Sequence, residues 1–218
     1  MKLNIGMDDT DSLKGGCTTF VAYKIVKGIN QRFNMLPREY PYLVRLNPNF
    51  PKKTKGNGAV KVSYQLEPSI DVQGLIDFVE EVVRRHSHIY EEDTNPAIAF
   101  SYGDFSNDKL ADFYMRSLCE IIDVQEALGL AQTSGIRIAF LKDSKIGSVG
   151  AIAALGADLS GDHTCELLAY RKKEMWGKPR RVDRKSVMLM DERTRPLTFN
   201  NLDPVNGRIL ITPHGPDP

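Results

Sequence analysis

The chain has 218 residues, of which 41% are hydrophobic and 26% are charged. This balance is that of a globular protein and excludes disordered, collagenous and fibrous chains. The 29 basic and 28 acidic side chains give a formal net charge of +1, so only a local patch can attract nucleic acid. Three widely spaced cysteines, no long apolar run and an acidic N-terminal segment unlike a signal peptide predict a cytoplasmic protein outside the membrane.

The spacing of apolar residues predicts a mixture of strands and helices. Strands are expected at Lys2–Met7, Tyr42–Leu46, Ala59–Leu66, Ala97–Tyr102, Ile136–Leu141, Cys165–Tyr170 and Ser186–Met190. Helices are expected from Cys17 to about Ile29 and at Asp71–Arg85, Asp108–Leu128 and Ser148–Leu155. This mixture predicts an α/β (α+β) fold.

The order of these elements predicts two closely joined lobes. Residues 59–190 can form a split βαβ, ferredoxin-like lobe. Residues 1–58 form the other lobe, which has α/β character, and residues 191–218 are expected to return to it. The boundaries are approximate because loops, and not periodic segments, separate the lobes.

Three aspartates, Asp8, Asp9 and Asp11, follow the first predicted strand. Carboxylates held so close repel one another unless a cation compensates their charge. Mg²⁺ prefers oxygen ligands and commonly uses one or two carboxylates together with phosphate oxygens. The aspartates therefore predict a magnesium site, and a solvated turn with a helix-capping aspartate is the alternative.

A glycine turn follows the aspartates and leads into the first helix. Gly15 and Gly16 allow a ligand to approach the backbone, and the helix from Cys17 directs free N–H groups towards the same space. Thr18 and Thr19 lie in its first turn, where Thr18 either caps the helix or lies beside phosphate and accepts a phosphoryl group. A metal–nucleotide site requires a metal-binding loop beside a helix end that binds an anion. The combination therefore favours such a site over a purely structural turn.

A basic loop offers the cationic half of such a site. Lys52, Lys53 and Lys55 precede or adjoin the three residues Gly56, Asn57 and Gly58. Lysines supply point charges to phosphate, and glycines allow close backbone approach. Without the acidic loop, such a loop would be weak evidence for a phosphate site, because most basic loops are simply exposed to solvent.

A second basic segment runs from Arg171 to Lys185 around Trp176. Positive charges that neutralise phosphates and an aromatic ring that stacks on a base are typical of an RNA-contacting surface. A long solvated loop, with Trp176 covering the edge of a core, explains the same composition. Both interpretations stay open at this point.

Short motifs with a fixed order extend over the whole chain: Gly6–Ser12, Gly15–Thr19, Val44–Asn49, Lys55–Val60, Asn95–Pro96, Asp162–Thr164, Glu166–Arg171, Thr198–Asn201 and Ile211–Pro218. Together they resemble the archaeal agmatidine synthase family, which modifies the AUA-reading isoleucine tRNA. The ordered set is far more specific than any single motif.

This resemblance implies an ATP-dependent ligase. Family members phosphorylate the C2 carbonyl of the first anticodon cytidine, and agmatine then displaces phosphate to give agmatidine, with ATP ending as AMP and two phosphates. The resemblance also implies a kinase-type domain beside a ferredoxin-like domain. By motif match, the aspartate-rich loop is Asp8, Asp9 and Asp11, and the threonine that becomes phosphorylated is Thr18. The implied ligands are ATP, Mg²⁺, agmatine and the tRNA anticodon region.

The family pattern continues into an OB-fold and a zinc ribbon that hold tRNA, and this chain is expected to lack both. It contains no cysteine pairs at zinc-binding spacing. Two other functions stay open. One is a haloacid-dehalogenase-type phosphatase with Asp9 as nucleophile and Asp11 as acid/base, for which Gly161-Asp162 is a partial second motif. The other is a non-catalytic RNA-binding module that uses Arg171 to Lys185.

Overall fold

The computed structural model describes residues 1–54, 56–103, 108–161, 163–166, 168, 170–175, 178–179, 181–199 and 201–210. The chain forms two compact units, Met1–Gly161 and Asp162–Pro218. Within the described residues, no helix is both long and apolar enough to cross a membrane.

The first unit is built on one five-stranded sheet with the strand order β2-β3-β1-β4-β5. The strands are β1 (Lys2–Asp8), β2 (Tyr42–Arg45), β3 (Gly58–Gln65), β4 (Ala97–Tyr102) and β5 (Arg137–Phe140). All four pairings are antiparallel. Because β1 lies between β3 and β4, the residues that follow it leave the middle of the sheet.

Helices cover both faces of this sheet. They are α1 (Thr18–Phe33), α2 (Val72–His86), α3 (Asp108–Ser117), α4 (Val124–Thr133) and α5 (Gly147–Gly156). Successive side chains of a strand point to opposite faces. Leu3, Ile5 and Met7 of β1 are buried in the core that α1 and α2 share, whereas Gly6 faces α5, against which α3 and α4 pack.

Helix α5 approaches the central strand unusually closely, because both elements carry small residues at the contact. A Cβ atom on Gly6 would lie 2.1 Å from the backbone oxygen of Ala151. Ala153 and Ala154 of the same helix are fully buried. This approach places the start of α5 beside the end of β1, where the acidic loop begins.

The elements predicted for residues 2–156 are confirmed with one change. The helix expected over Asp108–Leu128 is two helices, because α3 ends at Ser117 and α4 starts at Val124. Asp123 starts the second helix: its side chain accepts a hydrogen bond from the Gln125 N–H at 2.7 Å. A capping aspartate inside an apolar period thus marks a new helix start.

In the second unit, the strand predicted at Ser186–Met190 is wrong, and the strand predicted at Cys165–Tyr170 is not seen in its described residues. Ser186–Met190 lies in α6 (Arg184–Thr194), which follows a short 3-10 helix at Lys173–Met175. Asp183 caps α6 by accepting a hydrogen bond from the Lys185 N–H at 3.0 Å. Its buried residues, Val187 and Asp191, are four positions apart, which is helical spacing. None of the described residues between positions 163 and 170 belongs to a strand.

The sheet also crosses the predicted lobe boundary between residues 58 and 59. Strands β1 and β2 precede it, strands β3 to β5 follow it, and β1 is hydrogen-bonded on both sides by strands from the later part. The compact unit extends to Gly161. The predicted lobe boundary at residues 58 and 59 therefore runs through a single sheet, because strand pairing joins segments that are distant in sequence.

Candidate active site

The acidic loop begins at the end of β1, beside the first turns of α5. Asp8 pairs with Ala97 of β4, and its carboxylate lies against the helix: a Cβ atom on Gly150 would be 1.8 Å from Asp8 Oδ2. A Cβ atom on Gly147 would be 3.1 Å from the Cβ of Asp9. Both aspartates thus lie near the N-terminal part of α5, where the helix dipole favours negative charge.

Hydrogen bonds fix the other two aspartates. Asp9 has a left-handed backbone conformation, with φ at 56°, and its Oδ2 accepts a hydrogen bond from the Asn95 N–H at 3.0 Å. Asp11 Oδ1 accepts a hydrogen bond from the Thr54 hydroxyl at 2.7 Å. Thr54 belongs to the basic loop of residues 52–58, so the acidic and basic loops meet although they are far apart in sequence.

Burial raises the pKa of two of these carboxyls. The pKa of Asp8 rises to about 8, mainly through desolvation and then through repulsion by Asp9. Desolvation also raises the pKa of Asp9 to about 6, although the hydrogen bond from Asn95 and the charge of Lys142 oppose the shift. Asp11 adds repulsion at both positions. A proton or a bound cation must therefore compensate charge in this loop.

A tight hairpin links the acidic loop to α1. The Ser12 N–H donates to the Gly15 oxygen at 2.8 Å, and the Gly15 N–H donates back at 3.2 Å. Gly16 follows with φ at +82°, a conformation that glycine adopts without strain. Cys17 is the N-cap of α1, and its side chain makes no capping hydrogen bond. The Cys17 side chain thus does not cap the start of α1, and an anion can accept hydrogen bonds from N–H groups there.

The two threonines of the first turn have different neighbours. Thr18 is buried, and its hydroxyl oxygen accepts a hydrogen bond from the Thr10 hydroxyl at 3.1 Å. The Thr19 hydroxyl lies 2.9 Å from the Cys17 sulfur. Thr18 therefore contacts the acidic loop, whereas Thr19, about 100° further round the helix, does not share that contact.

The described part of the basic loop is held beside β2. Asn57 donates a side-chain hydrogen bond to the Asn47 oxygen at 2.9 Å, and its own backbone oxygen accepts one from the Leu46 N–H at 2.9 Å. Lys52 and Lys53 are exposed. Lys55, a predicted phosphate ligand, lies outside the described residues.

Two cations near the acidic and basic loops, Arg45 and Lys142, were not among the predicted site residues. Arg45 ends β2, and its Nη1 atom would lie 3.4 Å from a Cβ atom on Gly56. Lys142 follows β5 and donates from Nζ to the Glu91 oxygen at 2.8 Å. Arg45 lies in the Val44–Asn49 motif, whereas none of the motifs contains Lys142, and the pairing of β2 and β5 into the sheet brings both cations to the same end as the acidic loop.

In the second unit, the basic segment presents exposed cations, namely Lys172, Lys173, Lys178, Arg181, Arg184 and Lys185. Arg171 donates from Nη1 to the Lys178 oxygen at 2.7 Å. Trp176 and Arg180 lie outside the described residues, so base stacking by Trp176 stays a prediction.

The aspartates are suited to a hard cation that is bound by carboxylate and phosphate oxygens together. Among the described residues, no group of three or more His, Cys, Asp and Glu side chains is arranged to hold a metal ion. Asp8 and Asp9 are half-buried with raised pKa values, whereas Asp11 is turned to Thr54. Mg²⁺ bound by one or two carboxylates and completed by phosphate oxygens fits this arrangement, and a closed cage of protein ligands does not.

Comparison with known proteins places the chain in a family. The family model of the TiaS TCKD domain matches residues 4–143, and the model of the TiaS FLD domain matches residues 145–218. The first match alone spans more than half of the chain, so the chain belongs to the TiaS family. The resemblance that the motifs indicated is confirmed.

Two curated relatives carry the name of a 2-agmatinylcytidine synthetase, TiaS, for an isoleucine tRNA. The protein of Pyrococcus horikoshii is 42% identical over 218 residues, which are 100% of this chain and 50% of the relative. The protein of Thermococcus sibiricus is 39% identical, over 100% of this chain and 49% of the relative. The chain thus spans about half the length of the curated relatives it matches.

Solved structures show the same fold. The chain superimposes on a complex of TiaS with isoleucine tRNA and ATP with a TM-score of 0.83 at 36% identity, covering 100% of this chain and 51% of that one. It also matches a complex of TiaS with isoleucine tRNA, AMPCPP and agmatine with a TM-score of 0.79 at 34% identity, again covering 51% of that chain. The predicted α/β (α+β) class is thereby confirmed.

The raised pKa of Asp8 predicts how the ligand-free protein responds to pH. The folded state holds the Asp8 proton up to about pH 8, whereas the unfolded state releases it near the ordinary aspartate pKa of 3.8. Stability should therefore fall as the pH rises between these values. The Asp8→Asn variant should escape this fall, so its melting temperature should exceed that of the wild type by a growing margin up to about pH 8. Melting curves with a chelator present measure this difference.

Asp158→Asn provides a control of opposite sign. The hydrogen bond from the Ser160 N–H lowers the pKa of Asp158, so its stabilising effect is present at neutral pH and is lost on acidification. Relative to the wild type, this variant should lose stability as the pH rises towards the ordinary aspartate pKa of 3.8, and the difference should be constant above about pH 5. A margin for Asp8→Asn that stays constant between pH 4 and pH 8 would contradict the assigned burial of Asp8.

Proposed function

We propose that this chain is the ATP-binding, phosphoryl-transferring part of an ATP-dependent ligase that joins agmatine to the anticodon cytidine of isoleucine tRNA. One observation carries the proposal: the acidic loop, the glycine turn and the basic loop meet at one end of the sheet, in a chain that aligns from end to end with 2-agmatinylcytidine synthetases. Since the chain spans about half of those relatives, the complete reaction is proposed and not established for it.

The triphosphate of ATP lies between the acidic loop and the start of α1. Gly15 and Gly16 form the turn that leads into α1, and the backbone from Cys17 to Thr19 offers N–H groups at the positive end of the helix dipole. Lys55 of the basic loop balances part of the phosphate charge, and Gly56, Asn57 and Gly58 allow the phosphate to approach the backbone. The likeness to a structure solved with ATP supports this placement.

Asp8, Asp9 and Asp11 are the candidate Mg²⁺ ligands, of which one or two would bind the ion together with phosphate oxygens. When bound, Mg²⁺ neutralises part of the polyphosphate charge and stabilises the charge that shifts during transfer. The chain's own contribution is to hold the carboxylates in place: Asn95 holds Asp9 and Thr54 holds Asp11.

Thr18 is the proposed phosphoryl acceptor. Its hydroxyl lies at the helix start and contacts the acidic loop through Thr10. A bond forms between Thr18 Oγ1 and the transferred phosphorus, the bond from that phosphorus to the leaving phosphate oxygen breaks, and a carboxylate of the acidic loop accepts the hydroxyl proton. Electrostatic positioning supplies most of the catalysis in reactions of this type.

The proposed substrates follow from the family. A related protein has been solved in complex with an isoleucine tRNA, AMPCPP and agmatine. By the chemistry that the family resemblance implies, the C2 carbonyl of the cytidine is phosphorylated, agmatine displaces this phosphate, and ATP ends as AMP and two phosphates. The basic segment from Arg171 to Lys185 is the proposed RNA contact, and a cytoplasmic location belongs to the same proposal.

Family membership favours this ligase over the two other functions. Neither a haloacid-dehalogenase-type phosphatase nor a non-catalytic RNA-binding module requires ATP. Binding of ATP with Mg²⁺, seen as a rise in melting temperature, therefore distinguishes the ligase from both.

Incubation of the chain with ATP and Mg²⁺, without tRNA, should place one phosphate on Thr18. The hydroxyl contacts the acidic loop, and an added phosphate would be stabilised by the dipole and N–H groups of α1. Peptide mass spectrometry locates the modified residue. Thr18→Val should remove the phosphate while the nucleotide still raises the melting temperature.

Thr19 is the internal control, since its hydroxyl contacts Cys17 and not the acidic loop. Thr19→Val should be phosphorylated like the wild type. Phosphate on Thr19 alone, or none on a wild-type chain that demonstrably binds ATP, would refute the role of Thr18 as acceptor.

Reversing charge in the basic segment should weaken tRNA binding in a salt-dependent way. Lys172→Glu with Lys173→Glu should reduce the slope of log affinity against log salt by about 1.5 or more, because each cation that neutralises a phosphate contributes about 0.7–0.9. Binding of an isoleucine tRNA transcript between 50 and 200 mM salt (roughly the range in which phosphate contacts dominate) measures the slope.

The matched control reverses two cations of the first unit, Lys27 and Lys109, both of which are exposed. These changes alter the net charge equally and should leave the slope near that of the wild type. Equal losses in both double variants would show a general charge effect and would refute a specific RNA contact by the basic segment.

A further inference from the structure

The segment between α2 and β4, from His88 to Asn95, braces the acidic loop. The His88 N–H donates to the Thr10 oxygen at 3.0 Å. The hydroxyl of Thr94, which is fully buried, donates to the backbone oxygen of Asp11 at 2.7 Å. The brace thus fixes the path of the acidic loop by hydrogen bonds to its backbone.

The ring of His88 extends this brace to the glycine turn. Its Nδ1 atom lies 2.9 Å from the hydroxyl oxygen of Ser12, which is 2% exposed. That oxygen also accepts a hydrogen bond from the Lys14 N–H at 3.1 Å. On the other side of the ring, Cδ2 would be 3.0 Å from a Cβ atom on Gly16. The ring therefore occupies the space that a side chain at position 16 would need.

These two contacts lie at the two ends of the hairpin that leads to α1. Ser12 opens the hairpin and Gly16 follows it, one residue before the N-cap Cys17. One end is held by a hydrogen bond and the other by packing. A turn held in this way loses less conformational freedom when it binds an anion than a mobile turn does.

We propose that His88 is a positioning residue for the phosphates of a nucleoside triphosphate. Its ring holds Ser12 and Gly16 so that the first N–H groups of α1 converge on the phosphate. The inference rests on the proposed nucleotide site and adds to it a residue that acts through the hairpin without touching the substrate.

Two variants of similar shape separate the hydrogen bond from the volume of the ring. Asn places polar atoms where the His Nδ1 and Cδ2 atoms lie, whereas Leu has the same branching without a polar atom. Calorimetry with ATP and Mg²⁺ on the full 218-residue chain should show His88→Leu binding about three- to tenfold more weakly than the wild type. His88→Asn should bind within about twofold of the wild type, because it keeps the bond to Ser12.

A double-variant cycle tests whether the effect passes through Ser12. Ser12→Ala should weaken ATP binding at least as much as His88→Leu does, because it also removes the hydrogen bonds to Lys14 and Gly15, and the double variant should lose no more than Ser12→Ala alone. Losses that add in the double variant overturn the proposal. Equal ATP affinity of His88→Leu and the wild type overturns it as well.

A measurement without nucleotide separates this inference from the proposed function. Amide hydrogen exchange at residues 15–19 should be faster in His88→Leu and Ser12→Ala than in the wild type, and it should stay slow in His88→Asn. Melting temperatures show that each variant is folded. If the wild type does not bind ATP, the proposed function fails, and the exchange comparison then decides whether His88 orders the turn. Unchanged exchange in both His88→Leu and Ser12→Ala overturns the inference.

Discussion

The close packing of α5 on the central strand β1 is the contact on which the rest of the candidate site depends. A Cβ atom on Gly6 would lie 2.1 Å from the Ala151 oxygen, and one on Gly150 would lie 1.8 Å from Asp8 Oδ2. Glycine weakens a strand or helix when judged alone. Here it lets the start of α5 lie beside the acidic loop: a larger side chain at Gly6 would push the helix backbone away, and one at Gly150 would displace the Asp8 carboxylate.

This packing buries carboxylates close to one another, and a bound cation would compensate their negative charge. Asp8 and Asp9 are adjacent and half-buried, and desolvation raises both pKa values, with added repulsion from Asp9 and Asp11 at Asp8 and from Asp11 at Asp9. The start of α1, which the Cys17 side chain does not cap, and the basic loop both provide positive potential nearby. This potential favours binding of a phosphate group. A bound cation with phosphate oxygens balances all of these groups at once, which a turn with a purely structural role does not need.

The sequence predicted the first unit well because its strands and helices each present a clear apolar period. It failed at Ser186–Met190, where a short apolar run fits a strand and a helix equally and the cap at Asp183 decides. It also predicted that an acidic loop, a glycine turn and a basic loop form one site, and the bond between Thr54 and Asp11 brings two of these together. The contacts of His88 with Thr10, Ser12 and Gly16 could not be predicted from the sequence, because they involve backbone atoms and single side chains without periodicity.

A crystal structure of the chain with ATP and Mg²⁺ tests the central claim most directly. The account predicts that the triphosphate lies between the carboxylates of Asp8 and Asp11 and the turn from Gly16 to Thr18, with the hairpin unchanged from its ligand-free conformation. Such a complex would show the acidic loop and the start of α1 acting on one ligand. A nucleotide bound elsewhere, or phosphates that make no contact with that turn, would contradict the account.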